Sequence, residues 1–137
     1  MLYGVENIPE DVSFLQLDSI ILCSITYLEF DCDGFLLITF DDEIKEPSCG
    51  YFEYDKEENE LHISISHTLR GEEMVRTIMH ELVHARQILS GLYVPNMGNT
   101  PGKWKGVECS GDYMDLPWEI EAYALEEQMY FEYSRTI

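Results

Sequence analysis

His80-Glu81-Leu82-Val83-His84 sits near the centre of a stretch, residues 72–91, whose apolar positions recur at helical spacing. Met74, Ile78, Leu82, Ala85 and Leu89 follow one another at intervals of 4, 4, 3 and 4 residues, the stripe of a helix lying on a core. Glu72 and Glu73 stand where a helix N-terminus favours acids, Gly91 is placed to end the helix, and Pro95 lies beyond it. At about 100° per residue, His80 and His84 point away from Leu82, so the apolar side holds the helix down while the imidazoles look into a cleft. Residues four apart lie on one face, so the two rings can take neighbouring corners of a zinc tetrahedron. Glu81, one residue after the first His, can reach the corner left for water. The pattern is HExxH, a zinc-peptidase signal with a mechanism behind it; the bland alternative is a surface helix with two exposed histidines.

Upstream, Phe14, Leu17, Ile21, Ile25 and Leu28 repeat at 3, 4, 4 and 3, which predicts an amphipathic helix within residues 10–29. The β-branched content of that segment would also suit a strand. A turn at 31–34 leads to an apolar strand at 35–40, an acidic loop at 41–50 and a second strand at 51–54. A charged hairpin turn at 55–59 precedes Leu61, Ile63 and Ile65, which alternate with His62, Ser64 and Ser66 as in a half-buried strand. The expected class is α+β: an N-terminal helix, a short antiparallel meander of about three strands, the HExxH helix, an irregular loop or small ribbon, and a C-terminal helix. His62 and His67 read as strand or loop residues on the solvent side, because neither has a paired ligand at the usual spacing.

Downstream, residues 91–116 are rich in Gly, Pro and Asn, and a loop of that length in a compact domain is usually functional or disordered. Lys103-Trp104-Lys105-Gly106 and Tyr113 suggest a small ribbon over the site, with Trp104 either a substrate wall or the packing anchor of the loop. Asp115 is a plausible N-cap for a last helix opened by Pro117. Trp118, Ala122, Leu125 and Met129 carry that helix to about residue 133. A catalytic zinc takes three protein ligands and keeps one open position. The two candidates for the third ligand are Glu119 and Glu121, both early in the last helix.

The 137 residues carry 8 basic and 27 acidic side chains, a net charge of −19, with −14 of it in residues 1–60. Such a surface repels nucleic acid, so direct DNA or RNA binding is disfavoured. It serves solubility, the commoner use of acidic charge, or it meets a basic partner or substrate. A content of 45% hydrophobic residues argues against disorder and for a single domain over 1–137. No 18-residue apolar run and no basic leader segment occur, so neither a membrane span nor a signal peptide is expected, and the cytoplasm is the expected compartment. Cys23, Cys32, Cys49 and Cys109 form no CxxC pair; they read as free thiols, with Cys23 buried.

Leu116-Pro117-Trp118-Glu119-Ile120-Glu121-Ala122, together with the HExxH stretch, resembles the gluzincin branch of zinc metallopeptidases, in which a Glu on a later helix is the third ligand. More narrowly, the chain looks like the minimal SprT-like and ImmA/IrrE-like domains and their phage-type relatives, where a similar Pro-x-Glu-x-Glu-Ala stretch occurs. The likeness is motif-level at 80–84 and 117–122 and covers 10–133 in outline. It implies one zinc per chain on His80, His84 and Glu119, because the family's ligand stands three residues before an Ala that packs on the active helix, here Ala122. It implies peptide hydrolysis with Glu81 as general base. Tyr93, Tyr113 and Tyr123 are candidates for the oxyanion donor. Many gluzincins place Asp or Asn four residues after the ligand to orient the first His. That position is Tyr123 here, which leaves Tyr123 itself, Glu126, a backbone carbonyl or water to serve.

Three functions compete. The first is a zinc-dependent peptidase acting on a protein or peptide, a basic one being favoured by charge. The second is a catalytically silent, zinc-stabilised protein-interaction domain. The third is an acidic DNA mimic that inhibits a basic protein, with an accidental HExxH.

Overall fold

The computed structural model describes residues 2–30, 34–44, 50–95 and 101–136. The class is α+β. In chain order the main elements are β1 (Leu2–Glu6), α1 (Phe14–Tyr27), β2 (Phe35–Asp41), β3 (Gly50–Asp55), β4 (Glu60–Ser66) and α2 (Gly71–Leu89). Three two-residue strands follow, β5 (Tyr93–Val94), β6 (Lys103–Trp104) and β7 (Val107–Glu108), and then α3 (Pro117–Ser134).

Strands β1 to β4 form one sheet in the order β1-β2-β4-β3. The expected antiparallel meander is corrected here: β2 runs parallel to both β1 and β4, and only the β3–β4 hairpin is antiparallel. The cause of the misreading is visible in the burial pattern. Leu36, Ile38 and Phe40 of β2 lie in register with Leu61, Ile63 and Ile65 of β4, and all six are buried. Their neighbours Leu37, Thr39, His62 and Ser64 face the other way and are not buried. Parallel strands are ordinarily covered on both faces and read as continuous apolar runs, whereas one bare face gives the alternation usual in antiparallel sheets. Strand β1, five residues interrupted by Gly4, lies outside the elements that the sequence predicts.

Helix α1 is where the spacing places it, with the Ser13 hydroxyl accepting from the Gln16 amide as its N-cap. Its buried stripe is Leu17, Ile20, Ile21, Ser24 and Leu28, while Phe14 is 53% exposed, so the first position of the expected stripe is wrong. Cys23 is half-buried rather than buried. The expected cap of the last helix is also corrected. Asp115 ends a single 3-10 turn, Tyr113–Asp115, and Leu116 is the capping residue ahead of Pro117. The turn expected at 31–34 and the loop at 41–50 lie partly outside the described residues, as do Cys32 and Cys49.

Helix α2 is the central element. It packs against α1, α3, β3 and β4, and its buried residues fall on all sides of it, from Met74, Ile78 and Leu82 to His80, His84 and Gln87. The main apolar core joins the inner sheet face to α1, α2 and Ala122, Met129 and Tyr133 of α3. A second, smaller cluster of Ile88, Tyr93 and Trp118, with Trp104 packed against it, ties the ribbon to the start of α3. Gly102 fixes that junction: a Cβ there would come within 2.9 Å of the Trp118 ring. Among the described residues, no helix is long and apolar enough to cross a membrane.

Candidate metal centre

Packing of α3 along α2 brings His80, His84 and Glu119 together, all three buried, with one potential ligand atom from each within 4.8 Å of the others. Glu119 Oε1 lies 2.9 Å from His80 Nε2 and 3.2 Å from His84 Nε2. Ala122, fully buried one turn further along α3, is the small residue that allows this close approach. Among the described residues this is the one group of His, Cys, Asp or Glu side chains gathered so as to hold a metal ion. Two imidazole nitrogens and one carboxylate oxygen suit a divalent cation with open coordination positions.

The fourth member of the motif stands beside this triangle. Glu81 is buried, and its Oε2 atom has no hydrogen-bond partner. Burial pushes its carboxyl pKa up, against the downward pull of His84 and His80. From α2 it reaches the start of edge strand β3, where a Cβ on Gly50 would be 3.6 Å from Glu81 Oε1 and 2.8 Å from the Ser64 carbonyl oxygen. Glycine therefore keeps backbone, not side chain, next to this carboxylate.

Charge at the triangle is already arranged for a cation. Burial alone would lower the His80 pKa, but Glu119 and Glu126 overcome it and lift the ring to about 9. Burial would raise Glu119, but the hydrogen bonds from His80 and His84 bring it down to about 2. The proton that the His80 ring holds between Glu119 and Glu126 is what a divalent ion would displace.

Each candidate ligand side chain has its own outer partner. His80 Nδ1 is 3.0 Å from Glu126 Oε1. His84 Nδ1 is 2.8 Å from Gln87 Oε1, and the Gln87 amide nitrogen donates to the Trp118 carbonyl at 3.0 Å and to Glu121 at 3.2 Å. With that nitrogen committed, the amide oxygen faces His84, so Nδ1 carries a proton, the tautomer that would leave Nε2 free to turn its lone pair toward a bound metal. The Tyr113 hydroxyl donates to Glu119 Oε1 at 2.8 Å.

The remaining expected residues take varied places. Tyr123 lays its ring on His80, 4.5 Å between centroids. Tyr93 stacks on Trp118 at 4.4 Å, and burial pushes its phenol up to about 12. Trp104 packs on the Ile88, Tyr93 and Trp118 cluster, the anchor alternative. Glu121 contacts Gln87 rather than the triangle. His62 faces out beside Glu60, and His67 lies 3.5 Å from Asp42. Gln87 and Phe52 were missed by sequence reasoning. Phe52, on the inner register of β3, lies 5.6 Å from the His84 ring and walls that side of the site. No protein-family profile, no curated protein and no solved structure matches this chain.

Proposed function

We propose that this chain is a zinc-dependent metallopeptidase of the gluzincin kind, akin to SprT-like and ImmA/IrrE-like domains, working in the cytoplasm on protein or peptide substrates. One observation carries the reading: a buried carboxylate oxygen without a partner, on Glu81, stands beside a buried triangle of His80, His84 and Glu119. A general base facing a metal-bound water would need such an unpaired acid at that point.

Zinc held by the triangle would supply a Lewis acid and bring the pKa of water toward 7. Glu81 accepts the proton of the attacking water and hands it to the leaving amine. Burial raises its carboxyl pKa, which strengthens Glu81 as a base. Tyr113, already donating to Glu119, is the best placed of the three tyrosines to turn its hydroxyl toward a developing oxyanion. Strand β3 is the sheet edge next to Glu81, so an extended peptide could add there through its backbone, with loose sequence preference. The net charge of −19 favours basic substrates over nucleic acid.

The test is Glu81→Gln, assayed on casein-like and basic substrates beside wild type, with zinc measured in both. The expected result is one zinc per chain in each and hydrolysis in wild type alone. Equal turnover in the two would remove Glu81 from the reaction. Zinc without turnover in wild type would favour the silent interaction domain, and absence of zinc the acidic mimic.

A further inference from the structure

Helix α3 delivers two carboxylates to one imidazole. Glu119 meets His80 at Nε2, 2.9 Å away, and Glu126 meets the same ring at Nδ1, 3.0 Å away. Seven residues are close to two helical turns, so the two acids leave α3 on the same side and the ring lies between them. The second oxygen of Glu126 is 3.4 Å from Arg76 Nη1. Arg76 also forms an ion pair with Glu72, 3.4 Å from its Nε but not hydrogen-bonded to it, and lies over the Tyr130 ring, 4.6 Å from the ring centroid. The position four residues after Glu119 is filled by Tyr123, which packs on the ring and bonds to neither nitrogen in this arrangement.

We propose that Glu126, held in place by Arg76, is the positioning residue for His80. It accepts the Nδ1 proton and so fixes the tautomer that turns the Nε2 lone pair toward the metal. A carboxylate in that role also strengthens the imidazole as a donor. His84 has a neutral amide in the same role, so the two ligands of one helix are braced by unlike groups. The inference rests on the metal-binding part of the proposed function and not on hydrolysis.

The experiment compares wild type, Glu126→Ala and the near-isosteric Glu126→Gln for zinc affinity by chelator competition, and records nitrogen-15 histidine spectra of the zinc-loaded proteins. Loss of an outer-shell partner costs roughly 10–100-fold in affinity, which is the expectation for Glu126→Ala. Glu126→Gln keeps an acceptor without the charge and should lose less. In wild type the His80 Nδ1 proton should be protected from exchange; in Glu126→Ala it should exchange freely while the His84 signal stays unchanged. A change in affinity within about twofold for both variants, or an unaltered His80 Nδ1 proton, overturns the assignment. Should Glu126→Ala not fold, Glu126→Leu, close in size and without an acceptor, carries the same two readouts. Failure of wild type to take up zinc would instead sink the metal reading, and this inference with it.

Discussion

The two flanks of α2 are equally buried and built on opposite principles. Met74, Ile78, Met79, Leu82 and Ala85 belong to the apolar core shared with the sheet and α1. His80, His84 and Gln87 meet α3 through hydrogen bonds to Glu119, Glu126, Glu121 and the Trp118 carbonyl. Apolar contacts are non-directional, so that flank tolerates small shifts and contributes by area. The polar flank is stable only as a set, because removing one member leaves another buried without a partner. Burial therefore serves stability on one side and preorganisation on the other.

The largest effect should come from taking a ligand out of the polar flank. His84→Ala should weaken zinc by more than the roughly 10–100-fold that an outer-shell loss costs, because two ligands rarely hold a catalytic metal. Thermal melting with zinc and with a chelator checks it. Wild type at free zinc about 100 times its Kd should gain roughly 2.7 kcal/mol, and the variant should gain nothing. Equal zinc-induced shifts in both would break the comparison. On the apolar flank, Ile78→Ala should lower stability by about 2–5 kcal/mol, read by denaturant unfolding, yet leave zinc affinity of the folded protein near that of wild type. Coupled losses in Ile78→Ala would mean that the two flanks are not separable. Smaller again, Gln87→Ala should cost about tenfold in zinc affinity, by the same competition titration, because the His84 Nδ1 proton loses its acceptor.

The same contrast explains what was legible in the sequence. Periodicity reports faces, and it marked both the apolar stripe of α2 and the histidines opposite it. The resemblance to gluzincins, through the Glu119-to-Ala122 spacing, picked the acid that the structure puts in the triangle. Strand direction was not legible, because alternation tells which face is buried and not which way the neighbour runs. Strand β1 was missed because Gly4 breaks the only two strand-forming residues, Tyr3 and Val5, into too short a run, and the Asp115 cap because the chain turns one residue later, at Leu116. Glu126 was one of several candidates for the partner of His80. In a chain with 27 acids, no spacing rule singles one out before two helices are docked. Gln87 carried its signal in plain view, three residues after His84 on the same helical face, the spacing at which side chains meet.

The smallest effect tests the register of α3. Glu119 and Glu121 are two residues apart, so their side chains leave the helix about 200° apart and both cannot reach one metal. Glu119 is buried within hydrogen-bonding distance of both His80 and His84, and Glu121 is half-buried with Gln87 as its contact at 3.2 Å. Removing the Glu121 side chain takes away one of two acceptors of the Gln87 amide; the Trp118 carbonyl, at 3.0 Å, remains. A hydrogen bond contributes about 0.5–1.5 kcal/mol, and one that is partly exposed and backed by a second acceptor belongs at the low end. Glu121→Ala should therefore change zinc affinity by no more than about twofold to threefold, the equivalent of roughly 0.5 kcal/mol. Glu119→Ala, measured beside it in the same competition titration, should lose the metal as His84→Ala does. If Glu121→Ala loses zinc and Glu119→Ala retains it, α3 is rotated by half a turn from the register described, and the bracing of His84 through Gln87 falls with it.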